Sequence, residues 1–234
     1  MAVIIRGSTA LVLGFVLLGG TAQAQEAAPV GAIDVVTTIG GVSDYRFRGV
    51  SLSGEEPAVQ GSIELDHRSG LYAGAWASTL GDAGPDGEVD IYGGWSKSLG
   101  LTTVDVGVLG YLFLDGSDRN RVELYGSLGW ELGPATATFG VNYAPDQKNV
   151  GGTDNLYLYG NLGAGIPNTP VTLRAHLGYE DGGLVRSGGD KLDWSIGADY
   201  RLGRFTLGAA YVDTDVRGLD AADPTIVLSL AASF

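Results

Sequence analysis

The chain has 234 residues, and its 27 acidic side chains outnumber the 14 basic ones, which gives a net charge of −13. This balance argues against nucleic acid as a partner, because phosphates would be repelled. The chain has no cysteine, so its stability cannot come from disulfide bonds. It also has no metal-ligand cluster, phosphate-binding glycine loop or nucleotide fingerprint, and we expect no cofactor.

The first 24 residues have the features of a secretory signal peptide. Arg6 supplies the positive start, residues 10–19 form a short apolar core, and residues 22–24 (AQA) form a cleavage site. The apolar core is shorter than the roughly 20 residues that span a bilayer. We therefore expect export, a short leader over residues 25–31 and a single domain over residues 32–234.

Past the leader, apolar and polar residues alternate in twelve stretches, most of them ten to twelve residues long. Strands of about 9–11 residues, tilted near 45°, are the length that crosses a bilayer. The predicted strands are Ile33–Arg48, Val59–Arg68, Leu71–Thr79, Glu88–Lys97, Thr103–Leu114, Arg121–Leu132, Ala135–Ala144, Asn155–Ile166, Val171–Glu180, Lys191–Leu202, Phe205–Asp213 and Thr225–Phe234.

The connections between these strands alternate in length. Connections of two to five residues alternate with connections of six to eleven. Short turns on one rim and long loops on the other are typical of outer-membrane barrels. The sequence therefore predicts an all-β fold, a transmembrane up-and-down antiparallel barrel of twelve strands with short periplasmic turns and longer extracellular loops.

The last predicted strand supports closure of the barrel. Its apolar residues fall on every second position and end at Phe234, the final residue. A free edge here would be an aggregation hazard, which disappears if the last strand pairs with the first. The terminal aromatic resembles the sorting signal of bacterial outer-membrane barrels, so we interpret Phe234 as an insertion signal for the barrel-assembly machinery.

Aromatic residues on the apolar face lie near both ends of the strands, and the middle of that face is mostly aliphatic. Two aromatic rows around an aliphatic band indicate two membrane interfaces, in contact with outer-membrane lipid and lipopolysaccharide. The predicted girdle consists of Tyr45, Phe47, Trp95, Trp130, Tyr143, Tyr179, Trp194, Tyr200, Phe205 and Tyr211.

Three nearby stretches also carry a family resemblance: residues 43–53 (SDYRFRGVSLS), 57–61 (PAVQG) and 69–78 (SGLYAGAWAS). Together they resemble the TorF-type porin family of proteobacterial outer membranes, most strongly over residues 33–78. The resemblance implies a barrel that acts as a pore in a Gram-negative outer membrane. It implies no particular solute and no binding residues.

Strand parity predicts which side chains face the lumen. The charged ones are Asp44, Arg46, Arg48, Glu64, Asp66, Glu88, Asp90, Asp105, Glu123, Arg174, Lys191, Asp193, Asp199 and Arg201. They form either a constriction that selects solutes or an ion-paired plug. Acidic residues dominate from the second to the sixth strand, which predicts a weak preference for cations. The inward tyrosines, which either stack with a sugar or nucleoside or fill the lumen, are Tyr92, Tyr111, Tyr125, Tyr157 and Tyr159.

These features favour a porin-like channel for passive diffusion of small solutes. One alternative is a barrel enzyme that acts on lipids, but the only histidines are His67 and His176, and neither has a serine whose cross-strand position can be argued from sequence. We therefore expect no catalytic residue. The other alternative is a closed structural or adhesive barrel with acidic loops, although no loop has the spacing of a calcium site. The solute, the oligomeric state, the resting state of the pore and the infolding of a loop stay open.

Overall fold

The computed structural model describes residues 33–81, 86–114, 119–185 and 189–234, so the predicted signal peptide and leader lie outside the described residues. Twelve antiparallel strands close into one barrel, and each pairs with the barrel strands that precede and follow it. The barrel strands are β1 (Ile33–Val42), β4 (Ala58–His67), β5 (Leu71–Thr79), β6 (Gly87–Leu99), β7 (Thr102–Phe113), β8 (Arg121–Leu132), β9 (Ala135–Ala144), β10 (Asn155–Gly165), β11 (Val171–Gly182), β12 (Asp190–Leu202), β13 (Phe205–Thr214) and β14 (Thr225–Ser233).

The barrel closes where the sequence predicts. β14 pairs with β13 on one side and with β1 on the other, in a register that sets Thr38 opposite Ser233. Phe234 extends this pairing, because its backbone N–H donates to the carbonyl of Thr37 at 2.9 Å and its carbonyl accepts from the Thr37 N–H at 3.1 Å. Eleven of the twelve predicted strands begin and end within two residues of the observed ones, and the predicted fold is confirmed.

The barrel has an inverted distribution of polarity. Large aliphatic side chains on alternate positions point outward and are exposed, among them Ile39, Leu162, Ile196 and Ile226. The interior holds buried charged residues together with a cluster of aromatic rings. A barrel that packs its core in water has the opposite arrangement, so the outward face has the character of a lipid-facing surface. Within the described ranges no helix is long and apolar enough to cross a membrane, and a single 3₁₀ turn spans Asp220–Ala222.

Eight residues of the predicted girdle are half-buried or exposed, as outward-facing side chains near the strand ends should be. They are Trp95, Trp130, Tyr143, Tyr179, Trp194, Tyr200, Phe205 and Tyr211. Their contact with a membrane interface stays a prediction.

The first predicted strand is too long at its C-terminal end. β1 ends at Val42, and residues 43–57, which we call the plug hairpin, connect it to β4. Residues 44–53 of this hairpin fold into the barrel, whereas residues 54–57 are exposed. Two short strands, β2 (Arg46–Phe47) and β3 (Val50–Ser51), pair within it. The placement of Tyr45 and Phe47 in the girdle is therefore wrong: Tyr45 is 0% exposed and Phe47 packs against Tyr111 inside the barrel. The error arises because β2 is itself extended, so the period-two pattern continues while the chain changes direction.

Candidate functional site

The plug hairpin is shaped by a two-residue turn. Arg48 and Gly49 have φ values of 48° and 85°, and Phe47 pairs with Val50 on either side of them. Two consecutive residues with positive φ define the tight turn whose twist suits a two-residue β-hairpin. Glycine adopts this conformation without strain, whereas a positive φ strains the backbone of Arg48. Other contacts must therefore hold the arginine in place.

Asp44 stabilises the hairpin through hydrogen bonds to other residues of the hairpin. Its carboxylate accepts hydrogen bonds from the hydroxyls of Ser51 and Ser53, at 2.6 and 3.2 Å, and from Nε of Arg46 at 2.6 Å. The guanidinium of Arg46 also donates to the carbonyl of Asp223, in the loop before β14, at 2.6 Å. The hairpin is therefore a braced unit that is tied to the barrel rather than a loose loop.

Arg48 joins the tip of the hairpin to two parts of the wall. Its guanidinium donates to Glu123 on β8 at 2.7 Å and to Glu180 on β11. Lys191 on β12 completes the network, since Nζ lies 2.8 Å from Glu180 and donates to the carbonyl of Arg48 at 2.7 Å. Although burial opposes its charge, Glu123 and Glu180 raise the pKa of Arg48 above its ordinary value, so the guanidinium stays charged.

A second contact fixes the start of the hairpin to β6. The Tyr45 hydroxyl donates to Glu88 at 3.0 Å, and its ring meets Trp76 edge to face with centroids 5.3 Å apart. Burial and the adjacent Glu88 carboxylate raise the pKa of the Tyr45 hydroxyl well above its ordinary value, so it stays a neutral donor.

The hairpin backbone also packs directly against the wall. A Cβ added at Gly49 would lie 2.9 Å from Cβ of Asp193 and 3.0 Å from Cβ of Thr214. Only glycine fits both this spacing and the positive φ. Together with its contacts to β6, β8, β11 and β12, this approach places the hairpin inside the barrel against strands on several sides of the wall.

The plug hairpin separates two cavities in the barrel. On the long-loop side, a cavity of about 260 Å³ is bounded by Phe47, Val50 and Leu52 of the hairpin and by loop residues such as Val216 and Leu219. On the short-turn side, a cavity of about 110 Å³ lies between the hairpin and strands β9–β14. The hairpin therefore lies between two cavities of the barrel interior.

The structure brings most of the predicted lumen residues together around the hairpin. Those that are buried are Asp44, Arg46, Arg48, Glu88, Asp90, Asp105, Glu123, Arg174, Lys191, Asp193, Tyr92, Tyr111, Tyr125 and Tyr157. Glu64, Asp66, Asp199 and Tyr159 are half-buried, and Arg201 is exposed at the short-turn mouth. Their roles in solute passage stay predictions.

Inward tyrosines lie flat against glycines of the neighbouring strand. Tyr92 covers Gly74, and a Cβ added at that glycine would collide with its ring. The same arrangement joins Tyr125 to Gly107, Tyr157 to Gly178, Tyr159 to Gly140, and also Tyr72 to Gly94, a pair that sequence reasoning missed. The Tyr72–Gly94 pair could have been predicted from the sequence, because it combines an inward-facing tyrosine with an inward-facing glycine on the neighbouring strand. Because these rings lie along the wall, they turn a face toward the lumen instead of filling it.

Both histidines have a serine nearby, which could not be argued from the sequence. His67 Nδ1 lies 2.8 Å from Ser69 Oγ in an exposed turn, and Ser195 is paired directly opposite His176. The His176 ring, however, bonds Tyr157 and Asp193 through Nε2 at 2.9 and 3.0 Å, and Asn161 through Nδ1 at 2.7 Å. Both ring nitrogens thus have partners other than serine, which is not the geometry of an activated nucleophile.

Cation binding by the acidic loops has little support in the described part of the chain. No group of three or more His, Cys, Asp or Glu residues there is arranged to hold a metal ion. Three of the acidic loop residues, Asp82, Asp115 and Asp118, lie outside the described residues.

Comparison with known proteins places the chain among bacterial barrels. A family model described as "Bacterial protein of unknown function (Gcw_chp)" matches residues 26–234. No curated protein matches the chain. The chain is similar to the NanC porin, with a TM-score of 0.57 and 15% identity over 86% of this chain and 98% of that one. It is also similar to the COG4313 outer membrane channel from Pseudomonas putida F1, with a TM-score of 0.51 and 15% identity over 89% and 97%. At such low identities the similarity shows a shared fold.

Proposed function

The chain belongs to the Gcw_chp family of bacterial proteins of unknown function, and we propose that it forms an outer-membrane channel for passive diffusion of small solutes. The plug hairpin closes this channel at rest. The observation that carries the proposal is the bridge from Arg48 to Glu123 and Glu180, because it seats a hairpin tip across a lumen that has cavities on both sides. The ion pairs that hold this tip to the walls can break and re-form.

The same proposal includes a location and partners. The exposed aliphatic band fits outer-membrane lipid, with lipopolysaccharide around the long loops, and Phe234 is suited to recognition by the barrel-assembly machinery after export. We infer that the resemblance of residues 33–78 to TorF-type porins reflects this kind of pore. The half-buried Glu64 and Asp66 support a weak preference for cations.

A closed structural barrel is the second candidate, because the same buried network could hold the hairpin permanently. Replacement of residues 43–57 by a short turn separates the two functions. Val42 and Ala58 are paired at the ends of β1 and β4, so a tight turn can join them without altering the barrel register. The purified wild type and the replacement variant are then compared in planar bilayers.

We expect the wild type to conduct in rare, brief openings and the replacement variant to conduct continuously. Both should keep the heat-modifiable migration of a folded barrel. If neither conducts, the barrel is a structural element. If both conduct continuously and equally, the hairpin is not the barrier and the proposed closure is wrong.

A further inference from the structure

The cavity on the short-turn side of the plug hairpin combines an aromatic surface with polar groups that are already paired with one another. Its lining includes Tyr157, Tyr159 and His176 on one side and Arg174 and Asp199 on another. We propose that this cavity is a binding subsite for the ring of a neutral monosaccharide. The proposal rests on the proposed channel function, since it names the solute class that would occupy the channel.

The aromatic residues form a tiled platform. The Tyr157 hydroxyl and His176 Nε2 are hydrogen-bonded at 2.9 Å, and a phenol and an imidazole make such a bond in the planes of their rings. The planes of these two rings differ by 29°, and Tyr159 is inclined by 25° to Tyr157 and by 29° to His176. The hydrogen bond sets the Tyr157 and His176 rings side by side, and Tyr159 lies next to both, with centroids 5.8 and 6.4 Å away and a similar inclination.

Tyr159 provides the open face of this platform. Gly140 of β9 lies against one side of its ring, so the opposite side faces the cavity. Tyr157 differs, because the guanidinium of Arg48 covers its ring at 4.2 Å from the centroid. A ligand ring would therefore stack on Tyr159 and the adjoining edge of His176, with the plug hairpin above it. An aromatic face of this kind binds rings with an apolar face and polar edges.

The charges around the cavity indicate a neutral ligand. Arg174 Nε lies 2.7 Å from Asp199, Arg46 Nε lies 2.6 Å from Asp44, and Arg48 is bound to two glutamates. None of these guanidinium groups is left unpaired to select an anion, and Asp193, a further carboxylate of the lining, is held through Oδ1 by the Tyr157 hydroxyl and by His176 Nε2. Paired guanidinium and carboxylate groups still offer donors next to acceptors, which is what a sugar hydroxyl needs because it both donates and accepts.

The cavity, of about 110 Å³, lies on the short-turn side of the plug hairpin. Tyr159 lies on the wall below the hairpin rather than in the hairpin, so a solute could meet it from the short-turn side while the plug is seated.

The test measures binding to the purified full-length barrel in detergent, with saturation-transfer NMR and calorimetry. The probe is D-glucose, and D-mannitol is its control because it carries similar hydroxyls without a ring face. We expect glucose to bind about tenfold more tightly than mannitol. Tyr159→Leu should weaken glucose binding by about tenfold, whereas Tyr159→Phe, which keeps the ring, should stay within about twofold of wild type.

Tyr125→Leu is the matched control variant, because Tyr125 also lies on a glycine, Gly107, but does not line this cavity. It should bind glucose as the wild type does, and heat-modifiable migration verifies the fold of each variant. Equal binding of glucose and mannitol, or unchanged glucose binding in Tyr159→Leu, would overturn the proposal. Tighter binding of uridine than of glucose would overturn it in favour of a nucleoside site.

The two proposals fail separately. If the wild type binds glucose but the variant with the replaced hairpin never conducts, the subsite is supported and the channel is contradicted. Continuous conduction by that variant without any glucose binding would support the channel and contradict the subsite.

Discussion

Arg48 and Glu123 meet inside the barrel at 2.7 Å, one at the tip of an infolded hairpin and the other on the wall. Both side chains are almost completely buried. A buried ion pair contributes little net stability compared with apolar packing, because the two charges lose their hydration, but leaving one partner alone is costly. The hairpin is therefore held by contacts that favour one seated position strongly while adding little to the stability of the barrel itself.

Replacing Arg48 by alanine should unseat the hairpin. The change removes the nearest cation of the buried Glu123 and leaves Glu180 with Lys191 as its cation, and breaking such a pair costs about 3–5 kcal/mol. We expect a lower midpoint of thermal unfolding and frequent openings in planar bilayers. Arg201→Ala, at the exposed short-turn mouth, is the control and should change neither quantity. If the Arg48→Ala variant has the same unfolding midpoint as the wild type and opens as rarely, the bridge from Arg48 to Glu123 and Glu180 does not seat the hairpin.

A pair of glycine substitutions separates steric fit from backbone strain. Gly49 and Gly54 both have positive φ, 85° and 66°, but only Gly49 has wall atoms within 3.0 Å of an added Cβ, whereas Gly54 has nothing within 4 Å. Alanine should cost about 1–2 kcal/mol of backbone strain at either position. We expect Gly49→Ala to raise conductance as well, while Gly54→Ala leaves it unchanged. Equal conductance of the two variants would show that the close approach to Asp193 and Thr214 does not seat the plug.

The sequence was sufficient to predict the barrel, because lipid outside and charge inside impose a strict period of two on every strand. The register of β14 against β1 and the length of most strands follow from that period and from the turn residues. The same period could not reveal the plug hairpin. Tyr45 and Phe47 alternate with Asp44 and Arg46 as a membrane strand would, although the chain bends away from the wall at residues 43–44 and reverses at Arg48 and Gly49.

The lumen could be predicted as a set of residues but not as a set of contacts. Parity predicts that Glu88, Glu123 and Lys191 face the lumen, and all three are buried. It could not show that Arg48 would reach two strands separated by β9 and β10, since that depends on the path of the hairpin in three dimensions. Of the two predicted alternatives, the ion-paired plug matches the contacts of Arg48 with Glu123 and Glu180. The role of these residues as a selective constriction stays a prediction.

Removal of the Tyr45 hydroxyl should loosen the start of the hairpin. In Tyr45→Phe, Glu88 loses the donor at 3.0 Å, and its other oxygen, Oε1, already has no hydrogen-bond partner within the described ranges. An unsatisfied buried acceptor costs about 1–3 kcal/mol, so the unfolding midpoint in urea should fall. Tyr143→Phe removes a hydroxyl that bonds Asp154 on the exposed surface and should leave the midpoint unchanged. If the two variants behave alike, the Tyr45 contact does not anchor the plug.

The role of Phe234 in assembly can be separated from its role in closing the barrel. Phe234→Ala removes the ring but keeps both backbone hydrogen bonds to Thr37. If the ring is the insertion signal, this variant should be exported normally and accumulate in the periplasm, with little heat-modifiable protein in the outer-membrane fraction. Phe205→Ala, which removes another exposed aromatic ring near the same rim, serves as the control. Normal membrane insertion of Phe234→Ala would contradict the sorting role.

Ion selectivity should depend on the acidic side chains of the wet part of the lumen rather than on those that hold the plug. Glu64 and Asp66 are half-buried on the short-turn side of the hairpin, whereas Glu88 and Asp90 are 0% exposed. In the barrel whose hairpin has been replaced by a turn, we expect a weak preference for cations that falls as the Debye length shrinks to about 3 Å at 1 M salt.

Glu64→Gln together with Asp66→Asn should then move the reversal potential under a salt gradient toward anion preference. The same measurement on Asp146→Asn, an exposed loop carboxylate, should give the unsubstituted value. Neutralising Glu88 and Asp90 in the intact protein should instead destabilise the seated hairpin and open the pore without an ordered change in selectivity. The opposite result is a reversal potential that changes on substitution of Glu88 and Asp90 but not on substitution of Glu64 and Asp66. It would locate the selective region at the level of the plug hairpin. It would also mean that water reaches Glu88 and Asp90 when the channel is open.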